Sequence, residues 1–495
     1  MHKVGQKSIP VHLFPALTVN QRTATMEKFR RVSPFRLAAL IRAQKDPKLA
    51  FQFFLNPNSN VNPSSKSNQR PYSYSLLSYD LIITKLGKAK MFDELELILS
   101  KLKQETRFKP TEIIFCNIIT YYSRAHLPER AIHMFDEIPS FHCQRTVKSV
   151  NTLLNGLLIC REFDKMWKIL LGFDWFACPD VCTYNIMINA CRMQNDMQGA
   201  WKVFDEMRKK GILPNAITFS TLITGLCACL KVKDALELKK DMIRVYNIKP
   251  TKYVYASLIK GLCECNELNL SFKLKDEMFE NDVEVDSSIY TTLISGIFKV
   301  GRTDEVNVVL EEMKRNGCIP DTATYNALIA GYCAAKRLDL ALEFLNELEE
   351  KAFKPDVISY NVLIRAYFNE GKLREAMDLF EDMPRRGCKP DVLSYRIAMQ
   401  GLLSEMKLKE VVFLLDEMMF KGYAPHLLTV NKLMSLLHEE GDYELMLEVV
   451  NSLAKGNYID DNCWRLAVST IFAKHEAVNF HSVFDALTNS ISEAH

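Results

Sequence analysis

Residues 322 to 391 read TATYNALIAGYCAAKRLDLALEFLNELEEKAFKPD and then VISYNVLIRAYFNEGKLREAMDLFEDMPRRGCKPD, one 35-residue sentence written twice. Tyr325-Asn326 returns as Tyr360-Asn361, Ala341 as Ala376, and Pro355-Asp356 as Pro390-Asp391. Self-similarity at this period leaves few folds open. Each unit is too small to bury its apolar face alone, so neighbours must stack and share a continuous core. A chain of 495 residues would otherwise suggest about three globular domains; a stack of repeats grows without enlarging any one core.

Unit starts fall at 76, 112, 147, 181, 216, 252, 287, 322, 357, 392 and 427, eleven in all. Pro179, Pro214, Pro250, Pro320, Pro355, Pro390 and Pro425 each stand one place before a unit ends. Met207, Met242, Met278, Met313, Met383 and Met418 all take the 27th place, and Gly156, Gly225, Gly261, Gly296, Gly331 and Gly401 the tenth. Within the unit from 357, Tyr360, Leu363, Ile364 and Tyr367 recur at helical spacing. Gly371 breaks that helix, and a second follows from Leu373 with Ala376, Leu379, Phe380 and Met383 along one stripe. Gly387 and Pro390 end it. Alanine at the 20th place (Ala131, Ala200, Ala235, Ala341, Ala376) lets the paired helices approach closely. The methionine and aromatic stripe is therefore core packing.

The flanks differ. Residues 1–34 carry Lys3, Lys7, Arg22, Lys28, Arg30 and Arg31 against the single acid Glu27, the acid-poor character of an organelle transit peptide or a disordered basic terminus. Residues 35–75 hold a short helix pair, Arg36 to Arg42 and Asp46 to Phe54, then an Asn-, Ser- and Pro-rich linker. Repeats fill 76–460, and 461–495 is a degenerate unit, with Trp464, Leu466 and Phe484 kept and Arg465 at its fifth place, suited to capping the stack. No apolar run approaches the ~18 residues that cross a bilayer. Fourteen cysteines without a secretory signal argue for reduced thiols. Cys227, Cys263 and Cys333 share the twelfth place of their units, as packing residues would, and no His pair completes a zinc site. A net charge of +3 excludes indiscriminate gripping of polyanions, so any nucleic-acid binding must draw on local charge and on selective contacts.

The residues that this packing does not explain sit at two places. The fifth place, inside an otherwise apolar first helix, holds Asn151, Asn185, Ser220, Thr291, Asn326, Asn361 and Asn431. The last place holds Asp180, Asn215, Asp286, Asp321, Asp356 and Asp391. Seven small polar groups in register suggest a surface that hydrogen-bonds something, because a bare buried amide is destabilising by about 1–3 kcal/mol.

The unit V-x-[ST]-Y-N-x-L-I-x-G…A-x-x-[LF]-[FL]-x-x-M-x-x-x-G-x-x-P-D resembles the pentatricopeptide repeat, a family of organelle RNA-binding proteins of plants and other eukaryotes. The resemblance covers residue 76 to about residue 460, and its uninterrupted near-35-residue units are similar to the P-type subfamily, with no appended deaminase-like, small MutS-related or metallonuclease domain expected. It implies an all-α, right-handed α-solenoid superhelix of helix-turn-helix repeats, with single-stranded RNA along the concave face, one base per repeat, read by the fifth and last side chains. Carried over by place, Asn151 with Asp180 favours U, and Asn185 with Asn215 favours C or, more weakly, U. Ser220 with Thr251 leans to purine, and Thr291 with Asp321 favours G. Asn326 with Asp356, Asn361 with Asp391, and Asn431 with Asp460 favour U, although the last unit lacks its proline and is one residue short. Asp80 with Thr111, Cys116 with Thr146, Ala256 with Asp286 and Arg396 with His426 depart from the family pattern. The implied core from the unit at 147 is 5′-U-Y-R-N-G-U-U-N-U-3′. Ile217, Tyr253 and Ile358 at the second place would flank the bases. The resemblance implies no cofactor and an organellar setting, mitochondrial or else chloroplast.

Two other readings compete. A tetratricopeptide-like protein-interaction scaffold also pairs helices, but its unit is about 34 residues with a different Trp-Leu-Gly-Tyr pattern. A metal-dependent nuclease would cluster its Asp residues, whereas these recur one unit apart. His475-Glu476 and His481 resemble H-E-x-x-H only superficially, since the second His lies six places on instead of four. No Gly-rich phosphate loop and no G-x-S-x-G elbow is present. The expectation is a binding protein and not an enzyme.

Overall fold

A computed structural model describes residues 33–57, 74–172, 178–351, 353, 355–455 and 465. The expected leader up to residue 32, most of the linker, Asp460 and the closing unit apart from Arg465 lie outside these residues. The described residues form 24 α-helices, two short 3-10 turns and no strand. A helix pair, Pro34–Ala43 and Pro47–Leu55, precedes the repeats. First helices then begin at Leu76, Glu112, Val147, Val181, Ala216, Lys252, Ser287, Thr322, Val357, Val392 and Leu427. The chain divides into two compact units, Met1–Leu222 and Ile223–His495.

The local causes repeat with the sequence. The last residue of each unit is the N-cap of the next first helix: the side chains of Asp180, Asp286, Asp321, Asp356 and Asp391 accept from a third-place backbone N–H, satisfying a donor that the helix leaves bare. The fifteenth place of every unit has a positive φ and turns the chain into its second helix. Gly301, Gly371 and Gly441 do this without strain, but Lys90, His126, Arg161, Asn195, Leu230, Asn266, Lys336 and Met406 adopt the same left-handed conformation.

Within each compact unit first helices pack on their own second helices and on the next first helix, as Thr322–Ala334 does on Leu338–Glu350 and on Val357–Asn369. Fourth-place rings Tyr79, Phe115, Tyr184, Phe219, Tyr255, Tyr290, Tyr325, Tyr360 and Tyr395 are wholly buried, and burying an aromatic of this size contributes roughly 1.5–3 kcal/mol. Tyrosine hydroxyls among them donate to second-helix carboxylates: Tyr184 to Glu206 at 3.1 Å, Tyr325 to Glu347 at 3.0 Å and Tyr395 to Glu417 at 2.8 Å. Lys351 and Lys421 donate to the same tyrosines at 2.7 and 2.6 Å. The tenth-place glycine has a steric reason: a Cβ on Gly331 would lie 2.0 Å from the Phe298 ring, and one on Gly401 2.2 Å from Phe368. Both rings occupy the twelfth place of the preceding unit. Between the units from 216, 252 and 287, the buried amines of Lys239 and Lys275 pair with Glu277 and Glu312 of the following unit.

Candidate nucleic-acid interface

The fifth and last places meet at four junctions, from Asn151, Asn185, Asn326 and Asn361, and at three of these the third residue of the next unit joins them. In the first compact unit Asn151 Nδ2 donates to Asp180 Oδ1 at 3.0 Å. Thr183 Oγ1 lies 2.8 Å from Asn151 Oδ1 and 2.9 Å from Asp180 Oδ1, and the Thr183 N–H donates to that carboxylate at 2.8 Å. The arrangement recurs one unit on. Asn185 Nδ2 donates to Asn215 Oδ1 at 3.2 Å, and Thr218 Oγ1 donates to Asn185 Oδ1 at 2.6 Å. In the second compact unit Asn326 Nδ2 donates to Asp356 Oδ2 at 3.1 Å while the Ser359 hydroxyl donates to Asn326 Oδ1. Thr291 Oγ1 donates to the Ser287 carbonyl at 2.9 Å and lies 2.9 Å from Thr324 Oγ1, which itself bonds Asp321. Asn361 is held more loosely, its Nδ2 3.5 Å from Asp391 Oδ1.

These contacts correct one premise of the sequence argument, that the packing has no need of these side chains. Asn151 and Asn185 are each 8% exposed and Asn361 6%, and their amides tie consecutive units together. The third-place Thr and Ser were missed as members of the site, although D-x-x-[ST] at Asp180, Asp321, Asp356 and Asp391 is a capping signature. Asp180 and Asp391 sit with their carboxyls below the usual range. Burial by itself pushes them up; the backbone N–H of Thr183 or Ser394, the same residue's hydroxyl, and the Asn151 or Asn361 amide more than reverse it.

The second-place side chains stand in solvent: Ile217 is 62% exposed, Tyr253 66% and Ile358 61%, with Leu77, Ile113, Leu393 and Leu428 also exposed at that place. Ser220 and Thr251 are half-buried, and Thr251 caps its helix without a side-chain bond. Asn431 is half-buried, and its partner by register, Asp460, lies outside the described residues. Among the departing pairs, Cys116 is buried, and the Thr146 hydroxyl is engaged by Glu112 at 2.8 Å.

Models described as the PPR repeat family match residues 179–228, 221–264, 285–333, 320–366 and 355–404, and a PPR repeat model matches 253–283. Those matches cover the junctions at Asn215, Asp321, Asp356 and Asp391, and begin after Asn151. Residues 179–404 are thus a run of pentatricopeptide repeats. A pentatricopeptide repeat-containing protein of Arabidopsis thaliana is 52% identical over 187 residues, 38% of this chain and 39% of the relative. Another from Arabidopsis thaliana, named mitochondrial, is 32% identical over 156 residues, 31% of this chain and 38% of the relative. The chain thus spans about two fifths of the length of the curated relatives it matches. Among solved structures, the pentatricopeptide repeat protein PPR10 in complex with an 18-nt psaJ RNA element has a TM-score of 0.53 at 18% identity, covering 89% of this chain and 65% of that one. At that identity the likeness shows a shared pentatricopeptide solenoid fold.

Proposed function

We propose that this protein binds single-stranded RNA selectively, one base per repeat, without catalysing a reaction. The observation that carries this reading is the recurring pair of fifth- and last-place side chains, fixed by a third-place hydroxyl, beside an exposed apolar second-place residue. Such pairing orients the polar groups before any ligand arrives, which reduces the ordering cost of binding.

The donors and acceptors left over match bases. In Asn151–Asp180 and Asn326–Asp356 the amide carbonyl and one amide N–H are used internally. One amide N–H and spare carboxylate lone pairs remain. That set complements uracil, whose N3–H donates beside accepting carbonyls. In Asn185–Asn215 the carbonyl oxygen of Asn215 accepts from Asn185, Ile217 and Thr218. It therefore presents its amide donors, which suit the N3 and O2 acceptors of cytosine. Asp321 beside Thr291 offers lone pairs to the N–H groups of guanine. Ile217, Tyr253 and Ile358 would sandwich the bases from their exposed positions, and lysine and arginine would supply the salt-sensitive remainder of the affinity.

The expected ligand carries 5′-U-Y-R-N-G-U-U-N-U-3′, and the expected effect is occupancy: a bound strand is shielded from exonucleases or kept from pairing, so that a start or splice site is exposed. Relatives named mitochondrial support an organellar setting, which we take to be the mitochondrion, with the chloroplast as the alternative. The test is selection of random RNAs on the whole protein and on Asn361→Thr. The variant should exchange U for G at one position and keep the other preferences; an unchanged base there counts against the reading.

A further inference from the structure

Among the described residues four buried side-chain atoms have no hydrogen-bond partner: Arg145 Nε, Asn361 Oδ1, Arg396 Nε and His426 Nδ1. Three of the four stand at fifth or last places of the consecutive units from 357 and 392. Elsewhere the structure spends a hydroxyl on such an atom, as Thr183, Thr218 and Ser359 do for Asn151, Asn185 and Asn326. At this junction Ser394 turns its hydroxyl to Asp391 at 2.9 Å, and Asn361 Oδ1 stays bare. His426 also departs from the pattern of the last place, capping its helix with no side-chain bond. Unsatisfied buried polar atoms are rare in folded proteins and call for a cause; here they gather at the places that face the proposed ligand in every other unit.

We propose that the unit from 392 reads guanine, through Arg396 at its fifth place with His426 beside the base at its last. The inference rests on the one-base-per-repeat reading and fills the eighth position of the core, which register alone left open. A guanidinium carries five donors and no acceptor, so it needs a base edge with adjacent acceptors. Guanine places O6 and N7 side by side at the spacing of the arginine fork. Adenine sets a donor beside its N7, and uracil separates its carbonyls by an N–H; cytosine also sets two acceptors, N3 and O2, side by side, but its O2 lies against the ribose, whereas O6 and N7 of guanine lie on the edge away from the sugar. The Arg396–His426 pair brings no carboxylate for the N1–H of guanine, which favours the O6/N7 edge over the edge Asp321 would read.

The experiment uses the whole protein and single-stranded RNAs carrying the nine-base core, varying the eighth base through all four and, separately, the sixth. Guanine should bind about tenfold tighter than the other three at the eighth position. Arg396→Gln should erase that preference while leaving U preferred at the sixth, opposite Asn326. Arg396→Lys, which keeps the charge without the fork, should weaken it. Equal binding of all four bases at the eighth position, with discrimination intact at the sixth, overturns the proposal. So does an Arg396→Gln variant that loses affinity equally for all four with a shallower salt dependence, the mark of a phosphate contact. No discrimination at either position would remove the reading of one base per repeat, and this inference with it. The base scan on the unmodified protein needs no variant to fold.

Discussion

Thr183→Val tests whether a third-place hydroxyl holds the reading amide. Valine keeps the shape and deletes one oxygen from a wholly buried side chain. That oxygen lies 2.8 Å from Asn151 Oδ1 and accepts from the Asp180 N–H at 3.2 Å. Asp180 Oδ1 keeps the Thr183 N–H and the Asn151 amide, so the helix cap survives. The loss is the buried Asn151 carbonyl, destabilising by about 1–3 kcal/mol, and a smaller term for the more exposed Asp180 N–H. We expect about 2–3 kcal/mol in all on the same basis. Because repeats unfold locally, the loss should appear in hydrogen exchange over residues 147–193 more than in a global urea midpoint. RNA binding supplies the second readout. An amide freed of its acceptor-side tether loses about one net hydrogen bond of orientation, so U-over-G selectivity at the first base should fall roughly three- to tenfold. Thr183→Ser should behave as the unmodified protein in both. A valine variant with unaltered exchange and unaltered selectivity would refute the idea that this hydroxyl sets the amide.

Gly331→Ala should destabilise its neighbourhood by about 1–3 kcal/mol, since the new Cβ would stand 2.0 Å from the Phe298 ring; a double-mutant cycle with Phe298→Ala in urea should show strong coupling, and additivity would deny the contact. Acid should weaken the junctions at Asp180 and Asp391. Their folded carboxyls titrate below the ordinary 3.8, so their contribution is complete above that value and is lost as pH falls through the folded one. Thermal melts from pH 6 down to pH 2 should show Asp180→Asn with a flatter acid decline, and identical profiles would count against the assignment.

The repeat frame was open to reading because the period repeats in several residue types at once. Proline, methionine, glycine and alanine each marked one place, and the first helices start at those unit boundaries. Less was visible in the turns. Glycine fills the fifteenth place in only three units, so Leu230, Lys336 and Met406 gave no hint of the same left-handed turn; packing of the helices on either side fixes it regardless of residue type. The Tyr–Glu–Lys contacts, as in Tyr325, Glu347 and Lys351, were also overlooked, although their spacing recurs at Tyr395, Glu417 and Lys421. The candidate site was half legible. Register exposed the fifth and last places, but a polar residue in register looks the same whether it faces solvent or bonds its neighbour. Asn151 reaches Asp180, and Thr183 closes the triangle, only because the fold brings residues of successive units together.

The residue that ends one unit also starts the helix of the next, and this restricts which letters can be written there. Recoding Asp356 to Asn exchanges one good helix starter for another, so a change of preferred pyrimidine need not disturb the scaffold. A lysine or leucine in the same position would surrender the bond to the Ser359 N–H along with any contact to a base. If the last place reads a base as proposed, the helix start confines its choice to Asp, Asn, Ser and Thr, and His426, outside that set, caps its helix with no side-chain bond.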